Sequence, residues 1–335
     1  MLKLKMGHRA TWNVLLISFL VTYICQLCCS SAPLYVLDPL WPKEPSLFKG
    51  QIFSAAVDHK HGEVFITQRG DGLDPVLVFS EDGEYKRSFH RNISVIDTIH
   101  GSRMHYNTSS KTSDLWLTDI GNASLGHTVK RFSSEGKILS VIGTPGKAGT
   151  SLRPLQFDHV ADIVFGSQGE IYIADGDGGL NNRIMKLNKD FGLEWYVEGS
   201  GSSPGKFNIP HSIEVDHFGQ IWVADRKNNR TQLFDSKTGD YLGEWTECFK
   251  TGQPYAIRMS ADKSHFIILQ LQENRILFVS SPTSPGNPGD CHVIGQIQMA
   301  PDLKPHLLAV NQDTGSFYVA EIGGDACQRY VPFKG

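Results

Sequence analysis

The chain has 335 residues, of which 20% are charged and 40% hydrophobic, and a formal net charge of −3. Its length alone would suit two domains. No basic stripe runs through it, which argues against nucleic-acid binding, and loss of Lys3, Lys5 and Arg9 with an N-terminal leader leaves about −6.

Residues 1–30 read as a secretory signal peptide. Three cations precede an apolar run from Trp12 to about Leu27, which ends in the small residues around Cys28 to Ala32. The run is short for a membrane span and no stop-transfer sequence follows. An uncleaved signal anchor is the alternative. No second apolar segment and no C-terminal retention or lipid signal follows. The expectation is a secreted protein, or one held in the lumen of secretory granules, with no membrane span after cleavage and probable partners limited to a protein or peptide ligand. A monomer is expected.

Residues 31–335 read as one all-β domain. Leu34 to Asp38 is a strand with no repeat of its own. Six alternating, β-branched and aromatic runs then recur: Gly62 to Thr67, Asp114 to Asp119, Gly169 to Asp175, Gly219 to Asp225, His265 to Gln270 and Gly315 to Glu321. A spacing of roughly 45–55 residues is that of propeller blades. Further strands follow each run, so three or four antiparallel strands make a blade that cannot bury its faces alone. The last repeat lacks an outer strand. The N-terminal strand is expected to complete it, closing a six-bladed β-propeller without exposed edges.

One position per repeat, at the start of the preceding strand, reads Phe53, His100, Ala161, His211, Tyr255, His306. In a closed propeller that slot faces the axis, so repeats two, four and six aim three imidazoles at one another. Three neutral imidazoles and an open position suit zinc or a similar divalent ion. The alternative is a polar plug of imidazoles and water. The slots between them carry no competing charge.

Four sequons, Asn92-Ile-Ser, Asn107-Thr-Ser, Asn122-Ala-Ser and Asn229-Arg-Thr, stand beside the leader and point to a glycoprotein. Cys25, Cys28 and Cys29 lie in or near the leader. Cys248, Cys291 and Cys327 remain, enough for one disulfide and one thiol, with the pairing open.

The stretch FNIPHSIEVDHFGQIWVADRKNNRTQLFD (Phe207 to Asp235) resembles the NHL repeat, and FDHVADIVFGSQGEIYIADGDGGLNNRIMKL (Phe157 to Leu187) is a second copy. From about Leu34 onward the chain is similar to the lyase domain of peptidylglycine alpha-amidating monooxygenase. That resemblance implies a six-bladed propeller with a zinc ion on its axis. It also implies cleavage of alpha-hydroxyglycine-extended peptides to a peptide amide and glyoxylate. His100 in TIHGS, His211 in NIPHS and His306 in LKPHL match its zinc ligands, and Arg69 in TQRGDG matches its active-site arginine. The departures are specific. The family's third-repeat tyrosine is missing from DGDGGLNN (Asp175 to Asn182), as is the cysteine of that loop. Leu307 replaces an acidic calcium ligand, which argues against calcium, and Lys304 replaces a methionine. A chain of this length has no room for a monooxygenase half, so any lyase substrate would come from another protein.

An ammonium at Lys304, two residues from His306, would share its face and repel a dication, unless its long stem carries the charge to solvent. Arg69 is either a carboxylate-binding fork or a structural arginine bonded to loop carbonyls, Asp71 or Asp74. A lyase needs a base for the metal-bound hydroxyl. Tyr255 is the one axis-facing phenol and reads more readily as packing. Asp175 and Asp177 are possible carboxylate substitutes, although Asp-Gly steps read first as turns. Asp119, Asp175, Asp225 and Glu321 end equivalent strands and are expected to accept backbone N–H bonds. Asn182, Arg183, Asn229 and Arg230 fit the same scaffold, and Trp116, Tyr172, Trp222 and Phe317 fit packing between blades.

Three readings of function result. The first is a secreted binding module or pseudo-enzyme that retains a lyase-like three-histidine metal site. The second is an active zinc-dependent lyase. The third is a metal-free extracellular scaffold that binds proteins through its loops.

Overall fold

A computed structural model describes residues 32–89, 95–108, 110–121 and 123–334. The expected leader at 1–30 and the sequons at Asn92 and Asn122 lie outside the described residues. Leu37–Val331 form one compact unit. In the other unit the Phe333 amide donates to the Leu34 carbonyl at 3.0 Å.

Six four-stranded sheets make up the fold. Blades 1 to 5 each use four consecutive strands. Their first, inner strands are Gln51–Asp58, Ile99–Asn107, Val160–Phe165, Pro210–Val215 and Ala256–Met259. Blade 6 runs Pro305–Val310, Phe317–Glu321, Ala326–Pro332 and then Tyr35–Asp38, so the N-terminal strand supplies its outer edge as expected. An ion pair between Arg329 and Asp38 at 3.3 Å fastens that edge. Among the described residues, the only helices are 3-10 turns of three residues each.

The second strands are buried on both faces, as in Ile221–Asp225, because each sheet is covered by a neighbour on either side. The outer strands alternate, as in Leu193–Glu198, because one face meets water. The core therefore lies between blades. Trp222 of blade 4 packs on Phe266 of blade 5 at 5.2 Å. Tyr172 joins a cluster with Ile213, Ile221 and Val223 of blade 4, and Trp116 one with blade 3. Phe317 meets Phe278 of blade 5 at 6.3 Å. All four expected packing residues serve that purpose. Fully burying one such side chain contributes about 1.5–3 kcal/mol.

Cys248 and Cys291 form the disulfide, with a Cα–Cα distance of 5.9 Å. It staples the end of blade 4 to the segment entering the outer strand of blade 5. Cys327 is a buried free thiol in the core between blades 6 and 1. Burial pushes its pKa well above the ordinary thiol value.

The strand-ending acids act as turn scaffolds in three blades. Asp119 accepts the Asp97 and Thr98 amides, both at 2.8 Å, and pairs with Lys130. Asp175 accepts the Asp158 amide and Arg183, each at 2.9 Å. Asp225 accepts the Asn208 amide at 2.7 Å and Arg230 at 2.8 Å. Glu321 departs from the expectation. It is fully buried and neither carboxylate oxygen has a hydrogen-bond partner. The cross-strand position that holds Arg183 opposite Asp175, and Arg230 opposite Asp225, holds Ala326 opposite Glu321. Without a cation, desolvation pushes the Glu321 pKa up to about 8.

Candidate metal centre

A repeated irregularity in the backbone builds the centre. In blades 1, 2, 3, 4 and 6 the inner strand shifts register against the second strand at the slot: between Ile52 and Ser54, Ile99 and Ser102, Val160 and Asp162, Pro210 and Ser212, and Pro305 and Leu308. The slot residue is the extra residue of a β-bulge, and a bulge re-aims its side chain out of the pleat. Tyr255 comes just before its inner strand and is tied to the second strand, His265–Gln270, by its amide, which donates to the Leu269 carbonyl at 2.8 Å.

Two residues before the slot, His159, Ile209 and Lys304 adopt left-handed conformations, with φ of 60°, 65° and 53°. A β-branched residue such as Ile209 pays for that conformation in steric strain. The turn aims a carbonyl at the loop that follows the second strand. His159 accepts the amides of Gly176 and Asp177, Ile209 accepts Arg226, and Lys304 accepts Ile322, at 3.2, 2.8, 3.0 and 3.1 Å. Loop and slot are thereby locked together.

The three histidines meet on the axis with near-threefold symmetry. Their ring centroids lie 4.9, 4.7 and 4.9 Å apart, and one ligand nitrogen from each falls within 4.8 Å of the others. Each Nδ1 donates to the carbonyl of the next slot around the ring: His100 to Ala161 at 2.8 Å, His211 to Tyr255 at 2.7 Å and His306 to Phe53 at 2.8 Å. A carbonyl only accepts, so Nδ1 carries the proton and Nε2 of the neutral ring carries a lone pair. Burial, the largest cause, lowers the pKa values of His211 and His306 well below the ordinary one and keeps those two rings neutral, with the charge of Arg226 adding to it at His211. Three imidazole nitrogens with oriented outer partners fit zinc or another borderline-soft divalent ion. Gly101, after His100, is required by close approach, since a Cβ there would stand 2.6 Å from the Ala161 carbonyl oxygen.

Behind the histidines a buried ion network stops the channel. Asp162 accepts from Arg258 Nη1 at 2.9 Å and from the Ser212 hydroxyl at 2.9 Å, and Arg103 pairs with Glu214 at 2.7 Å. In front lies a cavity of about 750 Å³, lined by Asp177, Arg226, Tyr255, Gln272, Lys304 and His306 among others.

The other sequence candidates fall on both sides of this centre. Arg69 donates from Nε to the Ile99 carbonyl at 2.6 Å, its guanidinium carbon lies 3.2 Å from the Phe53 ring centroid, and its Nη2 is buried without a partner. It is anchored structurally at one nitrogen, and burial lowers its pKa to about 10. Tyr255 packs on His211 at 5.1 Å and its hydroxyl accepts from Gln272 at 2.8 Å, which matches the packing reading. Lys304 precedes its strand and is exposed at the cavity wall, so it does not share the His306 face. Leu307 is buried, and its side chain has no oxygen to offer a calcium ion. Asn229 is exposed in a left-handed turn, and Asn107 is half-buried at the end of the blade 2 inner strand.

Asp175 and Asp177, alike in sequence, separate here. Asp175 is scaffold. Asp177 is aimed at the axis, with Oδ2 3.0 Å from His100 Nε2 and Oδ1 4.0 Å from His211 Nε2. Burial alone would raise its pKa; neighbouring positive charge, that of the Arg226 guanidinium included, holds it below the carboxylate range. Arg226 pairs with Asp177 at 3.2 Å and lies over the Tyr255 ring at 4.6 Å. The sequence reading missed Arg226. Its signal was an arginine directly after the strand-ending Asp225, where blade 3 has Gly176.

No family model matches the chain. It is 46% identical over 301 residues to NHL repeat-containing protein 3 of Mus musculus and 47% to that of Homo sapiens, covering 90% of this chain and 85% of each relative. It is 30% identical over 220 residues to the Mus musculus peptidyl-glycine alpha-amidating monooxygenase, covering 59% of this chain and 22% of that protein. A streptogramin B lyase structure superposes with a TM-score of 0.57 at 15% identity, over 91% of this chain and 90% of that one, a likeness of fold alone. Among the described residues no helix is long and apolar enough to cross a membrane. The extent and identity of the first match show that the chain belongs to the family of NHL repeat-containing protein 3.

Proposed function

We propose that this protein is a secreted, glycosylated binding propeller, a pseudo-enzyme that keeps a lyase-like metal centre and holds a peptide or carboxylate ligand at its mouth without turnover. The observation that carries this reading is the convergence of three histidine Nε2 atoms, each set by an Nδ1–H bond to a carbonyl. A zinc ion held by His100, His211 and His306 would polarise a ligand oxygen as a Lewis acid. Arg226, Lys304 and Gln272 line the adjoining cavity and offer donors to a carboxylate or a peptide carbonyl. Asp177 stands in the loop where the related lyase family has its tyrosine, and Tyr255 is already engaged by Gln272 and Arg226. Among the described residues there is a metal-binding group and a ligand pocket, and the one phenol lining that pocket is already engaged.

Elemental analysis of the purified glycoprotein tests the centre. Near-stoichiometric zinc in the wild type, lost in His100→Ala, His211→Ala and His306→Ala, is the expected result. Absence of metal after incubation with zinc would leave a metal-free scaffold. A second reading, an active lyase, is favoured by the 30% identity to the amidating monooxygenase over 59% of the chain. Glyoxylate release from an alpha-hydroxyglycine peptide, lost in His211→Ala, would establish it; no release above background from zinc-loaded protein supports the binding reading.

A further inference from the structure

We propose that a cavity between blades 2 and 3 holds the first N-acetylglucosamine of a glycan carried by Asn107. The proposal rests on the reading of the chain as a secreted glycoprotein and adds to it a docking site for the sugar. His100 stands near the start of the blade 2 inner strand and Asn107 ends it, so this cavity opens at the other end of the ring from the metal centre.

The register of blade 2 places the sequon beside the cavity. Side chains alternate across a strand, and residues directly opposite in an antiparallel ladder share a face. Asn107 pairs with Thr112, His105 with Asp114, Arg103 with Trp116, and Trp116 with Arg131. Asn107, His105, Trp116 and Arg131 therefore look out on one side. Blade 3 meets them there with Phe165, 4.4 Å from His105 and 5.2 Å from Trp116, and with Phe191, 6.0 Å from Trp116. The cavity among these residues measures about 660 Å³, which falls within the roughly 300–1,000 Å³ of small-molecule sites. Asn107 forms part of its wall, and Asn107 Oδ1 accepts the Ser110 amide at 3.1 Å, which fixes the amide group at the rim.

The chemistry of the wall suits an acetamido sugar. Trp116 is 3% exposed and its Nε1–H has no acceptor. The tryptophan at the same place in blade 4, Trp222, donates its Nε1–H to Asp216 at 3.0 Å. A buried donor without such a partner is unfavourable, and an acetamide carbonyl is the neutral acceptor that would satisfy it. Aromatic faces carry negative potential and attract the C–H face of a sugar ring. The nearby cations do not call for an anion. Arg131 is matched by Asp114 at 2.6 Å and Lys189 by Asp190 at 2.7 Å. A sugar joined to Asn107 is also held at high effective concentration beside the cavity, so weak contacts suffice to dock it.

The whole secreted protein, produced with 13C in the acetyl methyls of its glycans, tests this. Peptide mass mapping first shows which sequons are occupied. Proton–carbon NMR then reads the acetyl methyls, because a methyl over an aromatic ring is shifted upfield. Ser109→Ala, which destroys the sequon and keeps Asn107, assigns the Asn107 signal. Trp116→Phe keeps a ring and removes the N–H, Phe165→Ala removes a ring of the far wall, and melting verifies that both variants fold. One wild-type methyl should stand upfield of the rest, vanish in Ser109→Ala and return to the common position in Phe165→Ala. Peptide-N-glycosidase should release the Asn107 glycan of native wild type about tenfold more slowly than that of Trp116→Phe, the scale of one hydrogen bond to a buried donor. An occupied Asn107 whose methyl sits at the common position, or whose release Trp116→Phe does not quicken, overturns the docking site while glycosylation stands. A bare Asn107 beside occupied sequons elsewhere overturns it as well and leaves the cavity to a separate ligand. A protein with no glycan at any sequon overturns the glycoprotein reading too.

Discussion

Glu321→Gln should make the protein more stable, and more so the higher the pH. Glu321 is fully buried with both oxygens unpartnered, and its pKa is raised from 4.5 to about 8. Below the unfolded value both states hold the proton, and folding carries no penalty. As pH rises past that value the unfolded chain ionises while the folded carboxyl stays neutral, so stability falls until the folded value is passed. The linkage sets a ceiling of about 1 kcal/mol of lost stability at pH 5 and about 4 kcal/mol at pH 8. Glutamine has the same shape and no charge to gain, so it escapes this loss. For a chain of this size 1 kcal/mol moves Tm by about 2 °C. The Tm advantage of the variant should therefore widen by about 6 °C between pH 5 and pH 8. Thermal unfolding of both proteins across that range, followed by circular dichroism, gives the difference free of other titrating groups. A gap that stays flat with pH, or widens toward acid, refutes the reasoning.

Arg230→Ala should strongly destabilise blade 4, by about 3–5 kcal/mol in denaturant unfolding, because it leaves the buried Asp225 carboxylate without its cation. Cys248→Ser with Cys291→Ser should cost about 2–4 kcal/mol through a looser unfolded chain. Native wild-type protein should meanwhile resist alkylation at Cys327 until denaturant is added, which peptide mass mapping would read. Asn229→Gln, expressed through the secretory route, should lose one peptide-N-glycosidase-sensitive mass increment, because Asn229 is exposed.

Much of the ring was legible in the residues. Alternating strands at blade spacing, an orphan strand at Leu34 to Asp38 and a last repeat without an edge implied the closure that Arg329 and Asp38 fasten. Aligning the repeats placed His100, His211 and His306 in one column, and a column in a ring is a place in space. What stayed hidden depends on backbone detail. The bulges that turn five of the six slots toward the axis have no residue signature of their own. Asp175 and Asp177 share a DGDG string, and only the loop path, pinned by the His159 carbonyl, sends one into scaffold and the other to the histidines. Glu321 looked like a fourth turn acid; its isolation follows from Ala326, a cross-strand neighbour that no single repeat reveals. The disulfide joins segments of two blades, so Cys248 and Cys291 were two of three equivalent thiols until the fold brought them together.

The bonds from each histidine Nδ1 to the following slot run from blade 2 to 3, 4 to 5 and 6 to 1. The last of these spans 253 residues of chain and bridges the point where the circle is completed. The imidazoles are thus rivets, whether or not they are also ligands. Whatever the chain does or does not turn over, it needs them to clinch three of its six seams, and so their place in the ring does not depend on a chemistry.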